Sequence, residues 1–476
     1  MKNKLIYTAL IAFVFASCTK DITDLNTNTK APENVPAAML FANAQKDLVY
    51  YMASPNVNTN TLRLWSQHWT QTTYIDESNY ELTERNINGR VFNSLYADVL
   101  RDLSDARAII AEDEVISAAD AKVQTAMISL IEIYTYHVLV DIFNDVPYTE
   151  AVMLLEELTP GFDNGADIYA DLQTRLTAAI ADLNAGGSSG ELGASDLIYG
   201  GDVSLWTEFA QSMRLKLALR TADVNTGSQA IAEAAASGAL SSSGSNATLY
   251  FESAPPNTNP LWEDLVQSGR TDFIASQTLS NVMNTTKDPR RGIYFRALDS
   301  LGNVVGNPHG SGGAYNNFSQ PGDILEDPSF PASLITYDEV MFLKAEAAAR
   351  GWAVGGTVQS NYDDAIAESM SLWGADLDTF LADPNVNYDV QIAAGKTWKE
   401  IIATQKWVAM YDRGFEAWST WRLYDAPQME EAAEAGTVPP TRYNYSVDEY
   451  SVNGTAASAA NGGSDKVTDK VFWDVN

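Results

Sequence analysis

Residues 138–151, VLVDIFNDVPYTEA, contain the point at which a long apolar segment of the chain stops. The apolar period ends at Phe143, and the next residue, Asn144, is of a type that accepts the left-handed conformation of a helix C-terminal cap. Pro147 has no backbone N–H, so the helix cannot resume there. The stretch therefore predicts the end of a helix followed by a tight turn.

Two amphipathic segments precede this turn. In residues 92–112, FNSLYADVLRDLSDARAIIAE, apolar side chains recur near the 3.6-residue helical period, and residues 122–143 continue the pattern. We interpret the two segments as a helical hairpin. Further segments with helical periodicity are 165–184, 203–222, 228–237, 337–350, 361–374 and 397–412.

The middle of the chain, about 240–335, has a different composition. Gly, Pro, Asn and Ser separate short β-branched or aromatic pieces such as ATLYFES (247–253) and GIYFRAL (292–298). No clean repeat of roughly 34 residues can be found, but helical hairpins interrupted by such an insertion are typical of tetratricopeptide-like superhelices. The predicted fold class is mostly α, a tetratricopeptide-like helical-hairpin scaffold with a loop-rich insertion that carries short strands.

The first residues predict export. Lys2 and Lys4 precede an apolar run from Leu5 to Ser17. A membrane-spanning helix needs roughly 20 apolar residues, so this shorter run favours a cleavable signal peptide over residues 1–17.

Cys18, the single cysteine of the chain, follows that run directly. Phe15-Ala16-Ser17-Cys18 resembles a bacterial lipobox, with Phe in place of the usual Leu, and in such a box the cysteine is lipidated. With no second cysteine, a disulfide is excluded. We expect Cys18 to be a lipid anchor, with residues 18–36 as a flexible tether; the alternative is a small residue at an ordinary signal-peptidase site.

The net charge excludes one class of partner. Lys and Arg number 30 against 62 Asp and Glu, a formal net charge of −32, and removal of residues 1–17 takes away two lysines. Such a surface repels phosphate backbones, so nucleic acid is not an expected partner. The sequence lacks the spacings of zinc, nucleotide and serine-hydrolase motifs, and no metal or cofactor is predicted.

Seven segments, in order along the chain, resemble the SusD/RagB family of outer-membrane nutrient-binding lipoproteins. In the turn segment, Asn144 stands where the family usually has glycine. The segments are DLNTNTKAPENVPAAMLFANAQ (24–45), FNDVPYTEA (143–151), FDNGADIYADLQTRLTAAIADL (162–183), DLIYGGDVSLWTEFAQSMRLKLALR (196–220), LITYDEVMFLKAEAAARGW (334–352), IIATQKWVAMYDRGFEAWSTWRLYDAP (401–427) and RYNYSVDEYSVN (442–453).

The resemblance implies a lipid-anchored outer-membrane protein facing the cell surface, with residues 37–476 as a single SusD-like α-helical domain. It further implies capture of a glycan or peptide nutrient and its delivery to a partner TonB-dependent, SusC-like transporter, without catalysis. Two alternatives remain open. A secreted glycoside hydrolase needs only two of the 62 carboxylates, and a structural surface lipoprotein would bind only a protein partner.

Aromatic side chains are the natural candidates for a sugar site, because a flat ring can stack on the apolar face of a pyranose. In LWSQHWTQTTYIDESNY (64–80), Trp65 and Trp69 are four apart, which on a helix places them on one face and also suits a core pair. Loop aromatics of the irregular middle are further candidates. The predicted ligand-binding residues are Trp69, Tyr74, Tyr80, Trp262, Tyr315 and Phe318.

Other conspicuous polar residues are expected to be structural. His137, in the apolar segment IYTYHVLV, is predicted to be a hydrogen-bonded core histidine and neither a ligand nor a base. Arg214 and Arg220 are six apart on one predicted helix, and we expect both to form structural ion pairs.

Overall fold

The computed structural model describes residues 35–153, 156–434 and 438–476. In it, the helix that ends within the stretch 138–151 runs from Ala118 to Phe143. The Ser117 side chain caps its start by accepting a hydrogen bond from the Asp120 N–H. At its end Asn144 has a φ of 75°, the positive value predicted, but a ψ of −85°, outside the left-handed helical region. Its side chain is committed to tertiary contacts, since Asn144 Oδ1 accepts a hydrogen bond of 2.6 Å from the Phe472 N–H.

The helices of the described residues are numbered in chain order. A π-helical segment, Asn93–Leu100, joins α3 to α4 in one continuous helix. Helices α1 to α10 are Ala37–Ala53, Leu62–Trp65, Ile87–Phe92, Arg101–Glu112, Ala118–Phe143, Gly165–Leu183, Gly190–Ala194, Val203–Arg220, Ser228–Ala235 and Pro260–Trp262. Helices α11 to α19 are Gln277–Thr286, Arg291–Tyr294, Tyr337–Ala349, Val358–Trp373, Tyr388–Ala393, Trp398–Ala409, Gly414–Tyr424, Val447–Val452 and Gly454–Ala459.

The strands are short and form antiparallel pairs. They are β1 to β8: Trp69–Gln71, Val146–Pro147, Phe162–Asp163, Thr248–Leu249, Phe273–Ala275, Phe295–Arg296, Gln320–Pro321 and Ala332–Ser333. The pairs are β1 with β5, β2 with β3, β4 with β8, and β6 with β7. In the β4–β8 pair, Thr248 opposes Ser333 and Leu249 opposes Ala332, so the two ends of the irregular middle meet at its base.

The mostly helical fold class is confirmed, because 54% of the chain is helix and 5% is strand. Three helices of at least 10 residues were not predicted by periodicity, α1, α11 and α17. In α11 the Ser276 side chain accepts a hydrogen bond from the Leu279 N–H, while Leu279 and Met283 are buried. The many Thr and Asn residues around those two apolar positions hid the helical pattern in the sequence.

Helices pack as neighbouring pairs: α5 on α6, α8 on α9, α13 on α14, and α16 on α17. Residues Ala37–Asn476 form one compact unit. Within the described residues, α5 alone is long and apolar enough to cross a membrane, but 94% of its most apolar window is buried inside the protein. It is therefore the central helix of the core. Residues 1–34, with Cys18, lie outside the described residues.

Buried ions connect four of these helices. Glu416 of α17 binds Lys216, and its Oε2 lies 3.4 Å from Arg220 Nη2, both on α8. Glu339 of α13 lies 3.1 Å from Lys216 Nζ and 2.6 Å from Arg413 Nη1. Burial raises the pKa of Glu416, but Lys216, together with other positive partners, outweighs burial and holds this pKa well below its usual range.

Asp141 of α5 adds a third carboxylate, 3.2 Å from the Arg220 Nε. His137 lies beside it, fully buried, with Nδ1 3.1 Å from the Tyr169 hydroxyl. This position confirms the predicted core histidine. Glu339, Glu346 and Glu416 are buried acidic residues that the sequence pattern did not mark as core.

Arg214 and Arg220, both predicted to form structural ion pairs, differ in the structure. Arg220 forms the predicted structural ion pairs. For Arg214 the prediction is wrong: none of its nitrogens makes an ion pair within the described residues, and its side chain bonds only Gln211 Oε1, at 3.4 Å.

We expect Glu416→Gln to lower the free energy of unfolding by about 3–5 kcal/mol, because it leaves buried cations without their carboxylate. Urea denaturation at pH 7 measures the loss. Asp105→Asn is the matched control: it breaks the partly exposed Arg101–Asp105 pair of 2.8 Å and should cost under about 1 kcal/mol. Equal losses in the two variants would contradict a stabilising role for the buried network.

Candidate functional site

A cleft beside Tyr74 is assembled by contacts between distant segments. Strand β1 pairs with β5 from the irregular middle, and after it Thr72 N–H donates to the Asp272 carbonyl at 2.9 Å. Gly313 N–H in turn donates to the Thr72 carbonyl at 3.0 Å. The chain around 72–74 is thereby held between the segment preceding β5 and the segment near Gly313.

Tyr74 is the exposed aromatic of this cleft. Its φ of 52° turns the chain away from β1, and 74% of its surface is exposed. An exposed Tyr ring offers a flat apolar face with a polar edge. The cleft has a volume of about 440 Å³ and is lined by Thr73, Tyr74, Asp264, Ser268, Gly269, Arg270, Thr271 and Asp272.

Arg270 contacts both acidic side chains of the cleft, Asp264 and Asp272. Its guanidinium donates two hydrogen bonds to Asp272, of 2.7 and 2.6 Å, and lies 4.2 Å from the centre of the Phe273 ring. Asp264 is 3.8 Å from Arg270 Nη1. Burial raises the pKa of Asp264 to about 6, although Arg270 opposes this shift. Asp264 thus supplies a carboxyl group, beside Ser and Thr hydroxyls, that can bond a polar ligand.

The other loop aromatics lie on the segments that meet near the cleft, although they do not line it. Trp262 ends α10, two residues before Asp264, and is partly buried. Tyr315 and Phe318 are also partly buried. Phe318 lies so close to Gly313 that a Cβ there would come within 2.8 Å of its ring. This contact requires glycine at the point where the segment approaches Thr72.

Two predicted ligand residues are core side chains. Trp69 is 0% exposed, and its indole N–H donates to the Tyr411 hydroxyl at 2.8 Å. Tyr80 is 6% exposed and packs edge-on against Trp65, with ring centres 5.9 Å apart. A buried ring offers no face to a ligand, so the ligand role predicted for these two residues does not fit their positions.

The expected helical pairing of Trp65 and Trp69 is also wrong. Helix α2 ends at Trp65, and Gln67, with a φ of 55°, turns the chain before Trp69 enters β1. The two indoles therefore belong to different elements. Both are nevertheless fully buried, as the core alternative required.

Trp69→Ala should lower the free energy of unfolding by about 3–5 kcal/mol, since it empties a buried site of indole size. Tyr74→Ala, at an exposed position, should change it by no more than about 0.5 kcal/mol. Thermal and urea unfolding of the two variants would show this contrast. A Trp69 variant as stable as wild type would contradict the assignment of Trp69 to the core.

Sequence reasoning missed Asp264, Arg270 and Asp272. They stand in LWEDLVQSGRTDF (261–273), where a short polar run separates two apolar pieces. Such a run marks a surface loop. No local pattern indicates that β1–β5 pairing brings it to Tyr74.

A larger groove of about 660 Å³ lies elsewhere, between the π-helical segment and α18. Its lining is mainly apolar and includes Phe92, Tyr96, Pro147 and Val452. None of the six predicted ligand residues lines it. The Tyr74 cleft combines an open ring with hydroxyl and carboxyl groups, which makes it the candidate for a polar ligand.

The histidines offer no catalytic arrangement within the described residues. His68 and His309 are buried, and burial lowers the pKa of each to about 3. His137 belongs to the ion network. No group of three or more His, Cys, Asp or Glu in the described part of the chain is placed to hold a metal ion.

Comparison with known families identifies the scaffold. The profile of the SusD-like family, described as "Starch-binding associating with outer membrane", matches residues 29–446. The chain belongs to the SusD-like family. SusD-like proteins are non-catalytic binding proteins, so the glycoside hydrolase alternative is not supported.

Solved SusD-like structures match almost the whole chain. A chitin-binding protein is 26% identical, with a TM-score of 0.79 over 92% of this chain and 100% of its own. A chitin-binding SusD homologue from Flavobacterium johnsoniae is 23% identical, with a TM-score of 0.77 over 92% and 98%. A SusD-like protein from Bacteroides thetaiotaomicron is 22% identical, with a TM-score of 0.77 over 93% and 99%. No curated protein sequence matches the chain.

Proposed function

We propose that this SusD-like protein captures a glycan at the Tyr74 cleft and presents it to a SusC-like, TonB-dependent outer-membrane transporter. It does so at the cell surface, held to the outer membrane by lipid on Cys18. The observation that carries the proposal is the 74% exposed Tyr74 ring over a cleft with hydroxyl and carboxyl groups.

The chemistry of the cleft suits a sugar. A pyranose has an apolar C–H face, which the Tyr74 ring can cover, and hydroxyl groups at its rim. Ser268 and Thr271 can donate or accept hydrogen bonds with those hydroxyls, and Asp264 can accept them when ionised. The other candidate aromatics, Trp262, Tyr315 and Phe318, lie on adjoining segments and could extend the contact with a longer chain.

Chitin oligosaccharides are the first ligands to test. The solved relative that is 26% identical is a chitin-binding protein, and the family description names starch. Chitohexaose and maltohexaose therefore form the natural pair of probes for calorimetry with the chain from Thr19 onward. Peptide mixtures would test the other nutrient class that the family resemblance implies.

Tyr74→Ala should weaken binding of the preferred oligosaccharide at least about tenfold, a loss of about 1.4 kcal/mol, because it removes the stacking face. Tyr250→Ala is the matched control, since Tyr250 is 76% exposed but does not line the cleft. Binding by the Tyr74 variant that equals wild type would refute the site. Absence of binding by wild type to any glycan or peptide would instead favour a lipoprotein that contacts only its protein partner.

The proposed lipidation of Cys18 is tested separately. Cys18→Ala should abolish incorporation of radiolabelled palmitate and move the protein from the membrane fraction to the soluble fraction, because no acyl chain can then be attached. Ser17→Ala keeps the cysteine and a small preceding residue, so it should leave labelling intact. Full labelling of the Cys18 variant would show that the lipid is elsewhere. Co-purification of the transporter with wild type tests the partner.

A further inference from the structure

Arg214 has an unusual environment for an arginine of this protein. It lies on α8 and is partly buried, yet no carboxylate of the described residues is within ion-pair distance. Its side chain makes one bond, of 3.4 Å, to Gln211 Oε1. That length exceeds the usual 2.7–3.2 Å range of N–H···O bonds. Arg214 Nε is buried and has no hydrogen-bond partner in the described structure.

Buried arginines such as Arg63 and Arg422 also have an Nε without a hydrogen-bond partner, but their terminal guanidinium nitrogens donate to backbone carbonyls. Arg63 donates to the carbonyls of Tyr411 and Asp412, at 2.7 and 2.8 Å. Arg422 donates to the carbonyls of Asp141 and Thr441. Among the described residues, the Arg214 side chain has neither a carboxylate nor a backbone carbonyl as acceptor. Burial alone lowers its pKa, and no acidic group raises it.

Arg214 lines a cleft of about 340 Å³ between α6, α8 and the start of α9. The polar lining is Gln173, Thr174, Thr177 and Asn225, with Ile231 as an apolar wall. Gln173 Oε1 is buried and has no donor among the described residues. A volume of this size is at the lower end of the roughly 300–1,000 Å³ typical of small-molecule sites.

We propose that the Arg214 cleft is a second binding site, specific for a small molecule that carries a carboxylate beside hydroxyl groups, the chemistry of a uronic acid. The guanidinium presents parallel N–H donors that match the two oxygens of a carboxylate. The side-chain amide of Gln173, on the wall of the cleft, can bond a hydroxyl of the ligand. Amide and hydroxyl groups of the lining bond the remaining hydroxyls.

Arg214 is a partly buried cation without an ion-pair partner among the described residues, and an anionic ligand would supply that partner. The site is independent of the glycan cleft, since none of its lining residues lines the Tyr74 cleft. It therefore remains testable whatever Tyr74 binds.

Calorimetry with the chain from Thr19 onward tests the proposal with glucuronate, galacturonate, acetate and glucose as probes. We expect at least one uronate to bind more tightly than acetate, which lacks hydroxyls, and glucose, which lacks the carboxylate. Arg214→Gln should weaken uronate binding at least about tenfold. Arg214→Lys keeps the charge but loses the two-pronged geometry, and should have intermediate affinity.

Arg90→Gln is the matched control for charge, because Arg90 is exposed and does not line the cleft. It should bind uronate like wild type, and so should Tyr74→Ala. A uronate that binds no better than glucose, an Arg214→Gln variant with wild-type affinity, or an equal loss in Arg90→Gln would each overturn the proposal.

A measurement on the wild-type protein covers the case in which Arg214→Gln does not fold. Phenylglyoxal modifies accessible arginines, and mass spectrometry of peptides locates the modified positions. Glucuronate or galacturonate should protect Arg214 and leave Arg90 reactive. Equal modification of Arg214 with and without uronate would overturn the proposal.

Discussion

The architecture depends on the pairing of carboxylates that are buried in the helical core. Asp141, Glu339 and Glu416 are at most 1% exposed and lie on three different helices, α5, α13 and α17. Lys216 and Arg220, both on α8, join them. Burying an ion without its partner costs several kcal/mol. The four helices must therefore pack in the one register that brings these charges together, whereas apolar contacts alone are non-directional and tolerate shifts.

A scaffold fixed in this way can carry irregular segments on its surface. The β4–β8 pair closes the base of the irregular middle, and the β1–β5 pair ties that middle to the chain just before Tyr74. Backbone hydrogen bonds between β1 and β5, whose Trp69 and Phe273 are buried in the core, position this cleft. Rigid elements with binding residues on the loops between them are a common arrangement in binding proteins, because the loops can vary without loss of the core.

The Tyr74 cleft and the Arg214 cleft offer different chemical groups to a ligand. At the Tyr74 cleft, Arg270 is neutralised by Asp272 and the aromatic ring is open to solvent. At the Arg214 cleft the cation itself is unpaired and no aromatic lines the space. The first arrangement suits a neutral polymer laid across a surface, and the second suits a compact anion. Both lie on a chain with a net charge of −32, so an anionic ligand needs a local positive group of this kind.

Much of the scaffold was predictable from sequence. The 3.6-residue periodicity located most of the long helices, and the Phe143–Asn144–Pro147 pattern located the end of α5 within one residue. Periodicity failed for α11, where two apolar positions are surrounded by Thr and Asn. Periodicity also failed for Trp65 and Trp69, which a continuous helix would place on one face. Gln67, with a φ of 55°, ends the helical conformation between them.

The sequence by itself determined the fold class, the charge and the family, since these follow from local periodicity, composition and ordered motifs. Only the tertiary structure decided which aromatics are open: Tyr74 is exposed, while Trp69 and Tyr80 are buried. It also decided which of two similar arginines is paired, Arg220 rather than Arg214. Exposure and charge pairing depend on distances between segments far apart in the chain, and the linear order of residues does not contain those distances.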